Sequence, residues 1–305
     1  MVMTRKNLIY IVLFLIISVS CEKIIDINIP EKDKKIVINS IISTDSLIKV
    51  NVSKSLNILD NQNAIFLNDA TVKLYEDNVF IEQLTNITNG NYKSQTFYPQ
   101  VGKNYKIEVS SNGLKTITAE NKIPNKVTIN KIDTITKNVE GYNTFEFTIN
   151  FTDPVNEENY YFLEAKSFVP LGYDNYGNII DYDIQNLYIF SDDKIVDSEI
   201  DYNGGIIFND KLINGQTYPL KINIDKYNFY NDTNMVYIYL NSVSKDFYLY
   251  VKSYSMNVNN RNDPFAEPVQ VYENINNGYG IFAGYSSYVD SLKILGQDMI
   301  WKSRK

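Results

Sequence analysis

A series of short segments in which apolar and polar residues alternate constrains the fold of this chain more than any other feature. Leu47–Val52, Ala70–Tyr75 and Phe145–Phe151 all show this alternation. A period of two places the apolar side chains on one face of an extended strand, so each segment is predicted to be a half-buried β-strand. Turn signals such as Asn112-Gly113 and Asn214-Gly215 separate these segments. The sequence therefore predicts a mostly β fold.

The predicted strands fall into two tandem β-sandwich-like domains. Residues 34–124 carry closely spaced short strands with Asn and Gly turns, which is typical of an immunoglobulin-like or prealbumin-like sandwich. Pro124 marks the predicted boundary, and residues 125–305 are predicted to form a larger β-rich domain. Within it, residues 172–183 are rich in Gly, Asn, Asp and Tyr and are predicted to form a long hairpin or loop.

One amphipathic helix is predicted in the C-terminal domain. Ser244 is a suitable N-cap, and Asp246 places an acid in the first turn. Apolar residues then recur at helical spacing, including Phe247, Val251 and Tyr254. We interpret this aromatic stripe as a face that packs on the second sheet, with a ligand-stacking face as the alternative.

The start of the chain predicts export. Arg5 and Lys6 precede an apolar run of about ten residues, Leu8–Ile17, and small residues follow. This run is too short to span a membrane, which takes about 20 apolar residues. Residues 1–20 are therefore predicted to be a signal peptide, with a tether over residues 21–33.

Cys21, the only cysteine, stands where the segment resembles a bacterial lipoprotein signal. That resemblance implies cleavage before Cys21 and attachment of a diacylglycerol and an N-linked acyl chain such as palmitate. Plain secretion without a lipid is the alternative. No later stretch has the length of a membrane span.

Composition excludes several function classes. The chain has no histidine, which removes the commonest general base and metal ligand, and its one cysteine is assigned to the lipid. A formal net charge of −7 argues against nucleic acid as a partner. We therefore predict a protein that is not an enzyme and needs no cofactor beyond the lipid. Catalysis could depend only on carboxylates, on Ser and Lys, on Tyr or on an oxygen-ligated metal, and a hydrolase with a pair of carboxylates is the enzyme that we weigh as an alternative.

Two groups of residues are candidate binding sites. Asp192, Asp193 and Asp197 offer oxygen ligands in a loop, which suits Ca²⁺, although solvated acidic turns are the preferred interpretation. The tyrosines of the predicted hairpin are candidate contacts for a sugar or peptide, with strand residues bearing hydrated hydroxyls as the alternative. They are Tyr173, Tyr176 and Tyr182.

The residues after the predicted helix carry a more specific pattern. Asp263–Val269, Tyr272–Ile275 and Asn277–Gly284 resemble the Bacteroidota lipoproteins of domain-of-unknown-function family 4249. The resemblance implies an outer-membrane context and genes beside TonB-dependent receptors, and it carries over no catalytic residue. For the glycines of the last segment we favour tight turns beside a buried ring over a binding role.

The sequence thus predicts a lipid-anchored, non-catalytic accessory protein of the outer membrane. It would work beside a TonB-dependent transporter, in ligand capture or in stabilising the complex. A structural or adhesive surface protein and a carboxylate-based envelope hydrolase are the alternatives. Three hydroxyl residues that follow Asp and precede Leu or Ile resemble an O-glycosylation acceptor of the same phylum: Ser46, Thr134 and Ser291.

Overall fold

The computed structural model describes residues 33–295, except 58–59, 61–62, 140–141, 177–178, 198–199, 227–228, 230–232 and 262. The predicted signal peptide, Cys21 and the predicted tether up to residue 32 lie outside the described residues. None of the described helical segments is long and apolar enough to cross a membrane.

The described part of the chain contains 17 strands and one helix. The strands are β1 (Ile36–Ser43), β2 (Lys49–Lys54), β3 (Ile65–Phe66), β4 (Thr71–Glu76), β5 (Val79–Gln83), β6 (Thr85–Thr88), β7 (Asn91–Lys93), β8 (Asn104–Ser110), β9 (Ile117–Lys122), β10 (Ile129–Val139), β11 (Tyr142–Thr152), β12 (Tyr160–Tyr173), β13 (Ile179–Leu187), β14 (Ile206–Asn209), β15 (Thr217–Asp225), β16 (Thr233–Val243) and β17 (Tyr279–Leu295). The helix is α1 (Lys245–Asn260). The predicted mostly β fold with one amphipathic helix is confirmed.

The strands form three sheets. The largest has ten strands in the order β13-β12-β16-β17-β1-β2-β7-β6, with β14 beside β12 and β3 beside β2. A four-stranded sheet, β5-β4-β8-β9, and a three-stranded sheet, β10-β11-β15, complete the fold. β1 and β17 pair in parallel, and the other pairs of named strands are antiparallel.

Strand β17 lies in the middle of the large sheet and joins its two halves. Its first residues, from Tyr279 to Tyr285, pair with β1, and the stretch from Tyr285 to Leu295 pairs with β16. One buried cluster joins β1 and β2 to the four-stranded sheet, and it includes Phe282 of β17. Another joins β12 and β16 to the three-stranded sheet, and it includes Leu292 of β17. A single strand therefore contributes to both hydrophobic cores.

The predicted domain boundary at residues 124 and 125 falls between these two cores. Residues from Lys34 onward nevertheless cluster into one compact unit. Because β17 pairs with β1, the N-terminal core includes a strand from the far end of the chain. Whether residues 34–124 and 125–305 are separate domains stays a prediction.

Helix α1 covers part of the large sheet on the face opposite the three-stranded sheet. The Ser244 side chain accepts a hydrogen bond from the Phe247 amide at 3.3 Å, as predicted for an N-cap. Phe247 and Val251 are buried with Phe162 and Ile281 of the sheet, which confirms the predicted packing of this helix face. Further along the stripe, Tyr254 and Val258 are exposed.

The glycine pattern after α1 has a structural explanation. Gly280 has a φ of +104°, and a Cβ atom there would lie 1.9 Å from the carbonyl oxygen of Ile38 on β1. Only glycine fits such a close approach. The Asn274 side chain donates to the Phe282 carbonyl at 2.8 Å and accepts from the Phe282 amide at 2.9 Å. Gly280 therefore lies within strand β17 and not in the predicted tight turn, because the backbone of β1 approaches too closely for a Cβ atom; the predicted buried ring beside it is that of Phe282.

Candidate functional site

The second half of β12 and all of β13 form a hairpin with an exposed face. The predicted strand at the start of β12 extends to Tyr173, so the segment 172–183 forms a hairpin rather than a loop. The buried cluster beneath α1 includes Phe162 from the start of β12 but no residue from its second half. This face of the hairpin remains open to solvent, whereas Ala165 and Leu187 on the other face belong to the buried core against the three-stranded sheet.

Apolar side chains from three neighbouring strands meet on this open face. Phe168 pairs with Ile184, and Tyr182 lies opposite Pro170, so their side chains project from one side of the sheet. The Phe168 ring makes edge contacts with Tyr182 and Tyr237, each with a centroid distance of 4.7 Å. We call the following set the outer patch: Phe168, Ile180, Tyr182, Ile184 and Tyr237.

The members of the outer patch that lie on β13 are the most exposed. Ile180, Tyr182 and Ile184 are 67%, 56% and 55% exposed, whereas Phe168 and Tyr237 are half-buried beneath them. Beside the patch, the Lys166 ammonium lies 4.7 Å from the Tyr239 ring centroid. Lys166 also forms an ion pair with Glu164 at 3.3 Å, so its charge is balanced. The patch is therefore an apolar surface that can bind a partner through apolar contact.

The structure places the three predicted tyrosines in different positions. Tyr182 belongs to the outer patch. Tyr173 ends β12, where the register shifts at Gly172, and Tyr176 lies in the turn with 91% exposure. The three side chains therefore do not form one site, and their predicted contact with a ligand stays a prediction.

Sequence reasoning missed the other members of the patch. Ile180 and Ile184 alternate with acids in the sequence, which is the signal of a half-exposed strand, but the Gly- and Asp-rich context favoured a turn. No local signal joins Phe168 to Tyr237, because they meet only through the pairing of β12 with β16.

The carboxylates of the predicted calcium site have other partners. Asp193 accepts a hydrogen bond from the Tyr218 hydroxyl at 2.6 Å, and Asp197 forms an ion pair with Lys252. Burial, followed by the hydrogen bond to Asp193, raises the pKa of Tyr218 to about 12. Asp192 is exposed. Among the described residues no group of three potential metal ligands comes together, and calcium binding stays a prediction.

A polar cleft of about 480 Å³ lies at the N-terminus of α1, beside β9 and the start of β12. Asp246 accepts hydrogen bonds from the Asn121 side chain and the Tyr272 hydroxyl, both at 2.6 Å. At its rim, Lys245 pairs with Glu158 at 3.3 Å. Burial, followed by the bond to Asp246, raises the pKa of Tyr272 to about 12. These hydrogen bonds hold β9, α1 and the segment after α1 together, so we assign the polar residues of the cleft a structural role.

A second exposed apolar surface follows α1. Phe265, in the loop after the helix, is 96% exposed. Nearby, a groove of about 470 Å³ runs between α1 and the segment 269–273, with Leu249, Met256 and Val271 among its lining residues. This surface lies in the segment that carries the family resemblance, so it is a further candidate contact.

The predicted glycosylation positions differ in accessibility. Ser46 is exposed in the turn between β1 and β2. Ser291 is half-buried in β17, and the Thr134 hydroxyl is shielded from solvent without a hydrogen-bond partner. Of the three, Ser46 is the best placed to meet a modifying enzyme, and glycosylation stays a prediction.

The fold and its surfaces define a mostly β protein of packed sheets with a single described helix. The chain belongs to the family described as Domain of unknown function (DUF4249), whose model matches residues 22–290. The family predicted from the Asp263–Gly284 residues is therefore confirmed. A comparison with curated proteins finds no match.

Proposed function

We propose that this protein is a lipid-anchored, non-catalytic accessory protein of the outer membrane that works beside a TonB-dependent transporter. The observation that supports this best is the outer patch, in which three apolar side chains of one strand stay more than half exposed. Neighbouring exposed apolar side chains are typical of surfaces that bind other proteins. The outer patch is the proposed contact with the transporter.

The anchor in this proposal is Cys21. Each buried methylene contributes about 0.8 kcal/mol to membrane binding, so several acyl chains on one cysteine hold a protein stably where one chain does not. Residues 22–33 then serve as the tether. The transporter context derives from the resemblance to Bacteroidota lipoproteins. The task at the transporter is ligand capture or stabilisation of the complex.

The buried carboxylates do not favour the alternative of an envelope hydrolase. Asp153 and Asp210 are close enough for the charge of Asp210 to raise the pKa of Asp153, although burial is the larger cause. Both are at most 4% exposed. Asp153 accepts hydrogen bonds from the Tyr161 hydroxyl and the Gly215 amide, and Asp210 accepts one from the Asn159 amide. These acids stabilise a loop, and a substrate has no access to them without local opening.

The test is co-purification from cells that make the tagged full chain. Membranes are extracted in mild detergent, and mass spectrometry identifies both the bound proteins and the N-terminus. We expect a TonB-dependent transporter and an acylated Cys21. Ile184→Lys should reduce the amount of transporter, because it places a charge in the outer patch. Val79→Lys is the matched control, since Val79 is a 65% exposed aliphatic side chain on a different sheet.

Two results would overturn the proposal. One is a tagged chain that is purified alone, with the cells' transporters intact in the same extract. The other is an unacylated N-terminus on protein recovered from the culture medium. Loss of adhesion with nutrient uptake unchanged would instead favour the structural or adhesive alternative.

A further inference from the structure

Strand β13 ends the large sheet, and its backbone is the basis of this inference. No described strand pairs with its outer edge. The strand has nine residues, none of them Pro, Lys, Arg or Gly. Natural sheets protect a long edge with Lys and other charged residues, with Pro or with bulges, because an open edge is a template for another strand. On β13 this protection is limited to Asp181, Asp183 and the register shift at Gly172.

The direction of the β13 amides follows from two hydrogen bonds. The Tyr182 amide donates to the Asp181 side chain at 2.9 Å, and the Ile184 amide donates to the Asp183 side chain at 2.8 Å. Tyr182 lies opposite Pro170. In an antiparallel pair, every second residue points its N–H and C=O away from the neighbouring strand, and Pro170, which has no N–H, suits such a position. The amides of Tyr182 and Ile184 therefore face the open edge, where two aspartates occupy them.

We propose that the β13 edge binds an extended segment of another protein by strand addition. In such binding, backbone hydrogen bonds give affinity and alternate side chains give specificity. The incoming strand would replace the side chains of Asp181 and Asp183 as the partner of the edge amides. Its apolar side chains would extend the row formed by Ile180, Tyr182 and Ile184.

Charge determines the chemistry of the partner. Asp181 and Asp183 are exposed beside the edge, and β13 carries no basic residue. Opposite charges on paired strands stabilise the pair, whereas like charges destabilise it. The partner is therefore a strand with apolar residues that alternate with Lys or Arg. A second copy of β13 would place aspartates against aspartates, which disfavours a dimer through this edge.

The inference rests on the proposed function in one respect, that the protein acts by binding other proteins.

Its test uses the purified full chain and an acetylated peptide of nine residues, the length of β13, in which Lys and Val alternate. Two control peptides carry Glu in place of Lys, or a methyl group on each backbone amide. Fluorescence anisotropy measures binding, and hydrogen exchange reports on the amides of Tyr182 and Ile184.

We expect the Lys peptide to bind and to slow exchange at both amides. The Glu peptide should bind about tenfold more weakly, because it meets the aspartates with like charge. The methylated peptide should not bind, because it has no backbone donors. Equal binding of all three peptides, or no binding of the Lys peptide, would overturn the inference.

Substitutions in the chain separate the backbone from the side chains. Ile184→Pro removes an edge amide that does not serve the pairing with β12, so the fold is retained. It should weaken peptide binding about tenfold, whereas Ile184→Ala, which keeps the amide, should weaken it no more than about threefold. Circular dichroism and the unfolding midpoint confirm that both variants fold. Equal binding by both variants would contradict strand addition.

The charge contribution has its own pair of variants. Asp181→Asn with Asp183→Asn should weaken binding of the Lys peptide about fivefold at low salt and less at high salt. Asp69→Asn with Glu267→Gln removes the same charge from exposed acids elsewhere and should leave binding unchanged. If both double variants lose the same binding affinity, the effect depends on the net charge of the protein. The argument that Asp181 and Asp183 select a basic strand would then be wrong.

Failure here is distinguishable from failure of the proposed function. If Ile184→Pro still co-purifies with the transporter as the unchanged chain does, the accessory role stands and strand addition is wrong. If neither form co-purifies with a transporter but the Lys peptide binds, the edge is a binding site and the accessory role is wrong. Self-association of the chain through β13, detected by crosslinking, would also contradict a foreign partner strand.

Discussion

The two ends of the ten-stranded sheet differ in how their edges are protected. At one end, β6 has four residues, and its register shifts between Asn86 and Thr88. A short, irregular strand offers little backbone for another strand to pair with. At the other end, β13 has nine residues and an exposed apolar row. The carboxylates of Asp181 and Asp183 occupy its Tyr182 and Ile184 amides.

This difference shows how one sheet can have a closed end and an open end. A partner can displace a side chain with little rearrangement, whereas a short strand cannot be lengthened without refolding its neighbours. The protection of β13 is therefore reversible, and that of β6 is permanent. The predictions below ask whether the two ends depend on each other and whether they differ in solution.

The largest effect is expected where β17 pairs with β1 and so joins the two halves of the sheet. Gly280→Ala would place a Cβ atom 1.9 Å from the Ile38 carbonyl oxygen, at a φ of +104°. We expect a loss of about 4 kcal/mol or more in the free energy of unfolding, or failure to fold, because backbone must move on both strands. Urea denaturation followed by fluorescence measures it.

The matched control is Gly113→Ala. Gly113 also has a positive φ, +73°, but a Cβ atom there would have no neighbour within 4 Å. Its expected cost is about 1 kcal/mol, from backbone strain alone. Two separate unfolding transitions in Gly280→Ala would show that residues 34–124 and 125–305 can unfold apart. An equal loss in the free energy of unfolding for the two variants would contradict the close packing of Gly280 against β1.

A smaller effect is expected at the buried acid of the C-terminal core. Tyr161→Phe removes the hydroxyl that donates to Asp153, a 2% exposed carboxylate, and should cost about 2 kcal/mol at neutral pH. Tyr160→Phe is the neighbouring control, since its hydrogen bond to Glu158 is exposed and is expected to contribute less than about 0.5 kcal/mol.

The destabilisation caused by Tyr161→Phe should depend on pH in a defined direction. Burial raises the pKa of Asp153 above its ordinary value of 3.8, so its protonated form favours the fold. That contribution is full below pH 3.8 and is lost as the pH rises through the raised pKa. Because the Tyr161 hydroxyl stabilises the charged form, the penalty of Tyr161→Phe should shrink as the pH falls. Urea denaturation at several pH values measures it, and a constant penalty would contradict the assignment.

The alternation of residues was enough to predict much of the fold, but not its central strand. β17 was missed because Ile281, Phe282 and Ala283 are all buried, one face under α1 and the other in the N-terminal core. A strand that is covered on both faces shows no alternation. Its pairing with β1 joins residues that are far apart in the sequence, and no local signal encodes such a contact.

The candidate site was predicted less completely than the fold. The sequence named Tyr182 as a candidate contact because it lies in a segment rich in Gly, Asn, Asp and Tyr. Tyr173 and Tyr176 were grouped with it only because they are neighbours in sequence. The register of β12 and β13 decides which side chains share a face, and that register depends on a bulge at Gly172. A shift of one residue reverses the face of every following side chain, so sequence alone could not assign the patch.

The smallest effect on stability, and the most direct comparison of the two ends, comes from one lysine at each. Ile184→Lys on β13 and Ile87→Lys on β6 both replace an exposed aliphatic side chain, so each should change the free energy of unfolding by less than about 0.5 kcal/mol. Their aggregation on heating should differ. A second folded β13 is repelled by the aspartates, but apolar segments of partly unfolded chains can pair with an open edge, so Ile184→Lys should slow aggregation on mild heating, as measured by light scattering. Ile87→Lys should leave the rate unchanged, because β6 is already too short and irregular to pair. If both variants slow aggregation equally, the two edges are equivalent in solution, and the carboxylates of β13 protect it as fully as shortness protects β6.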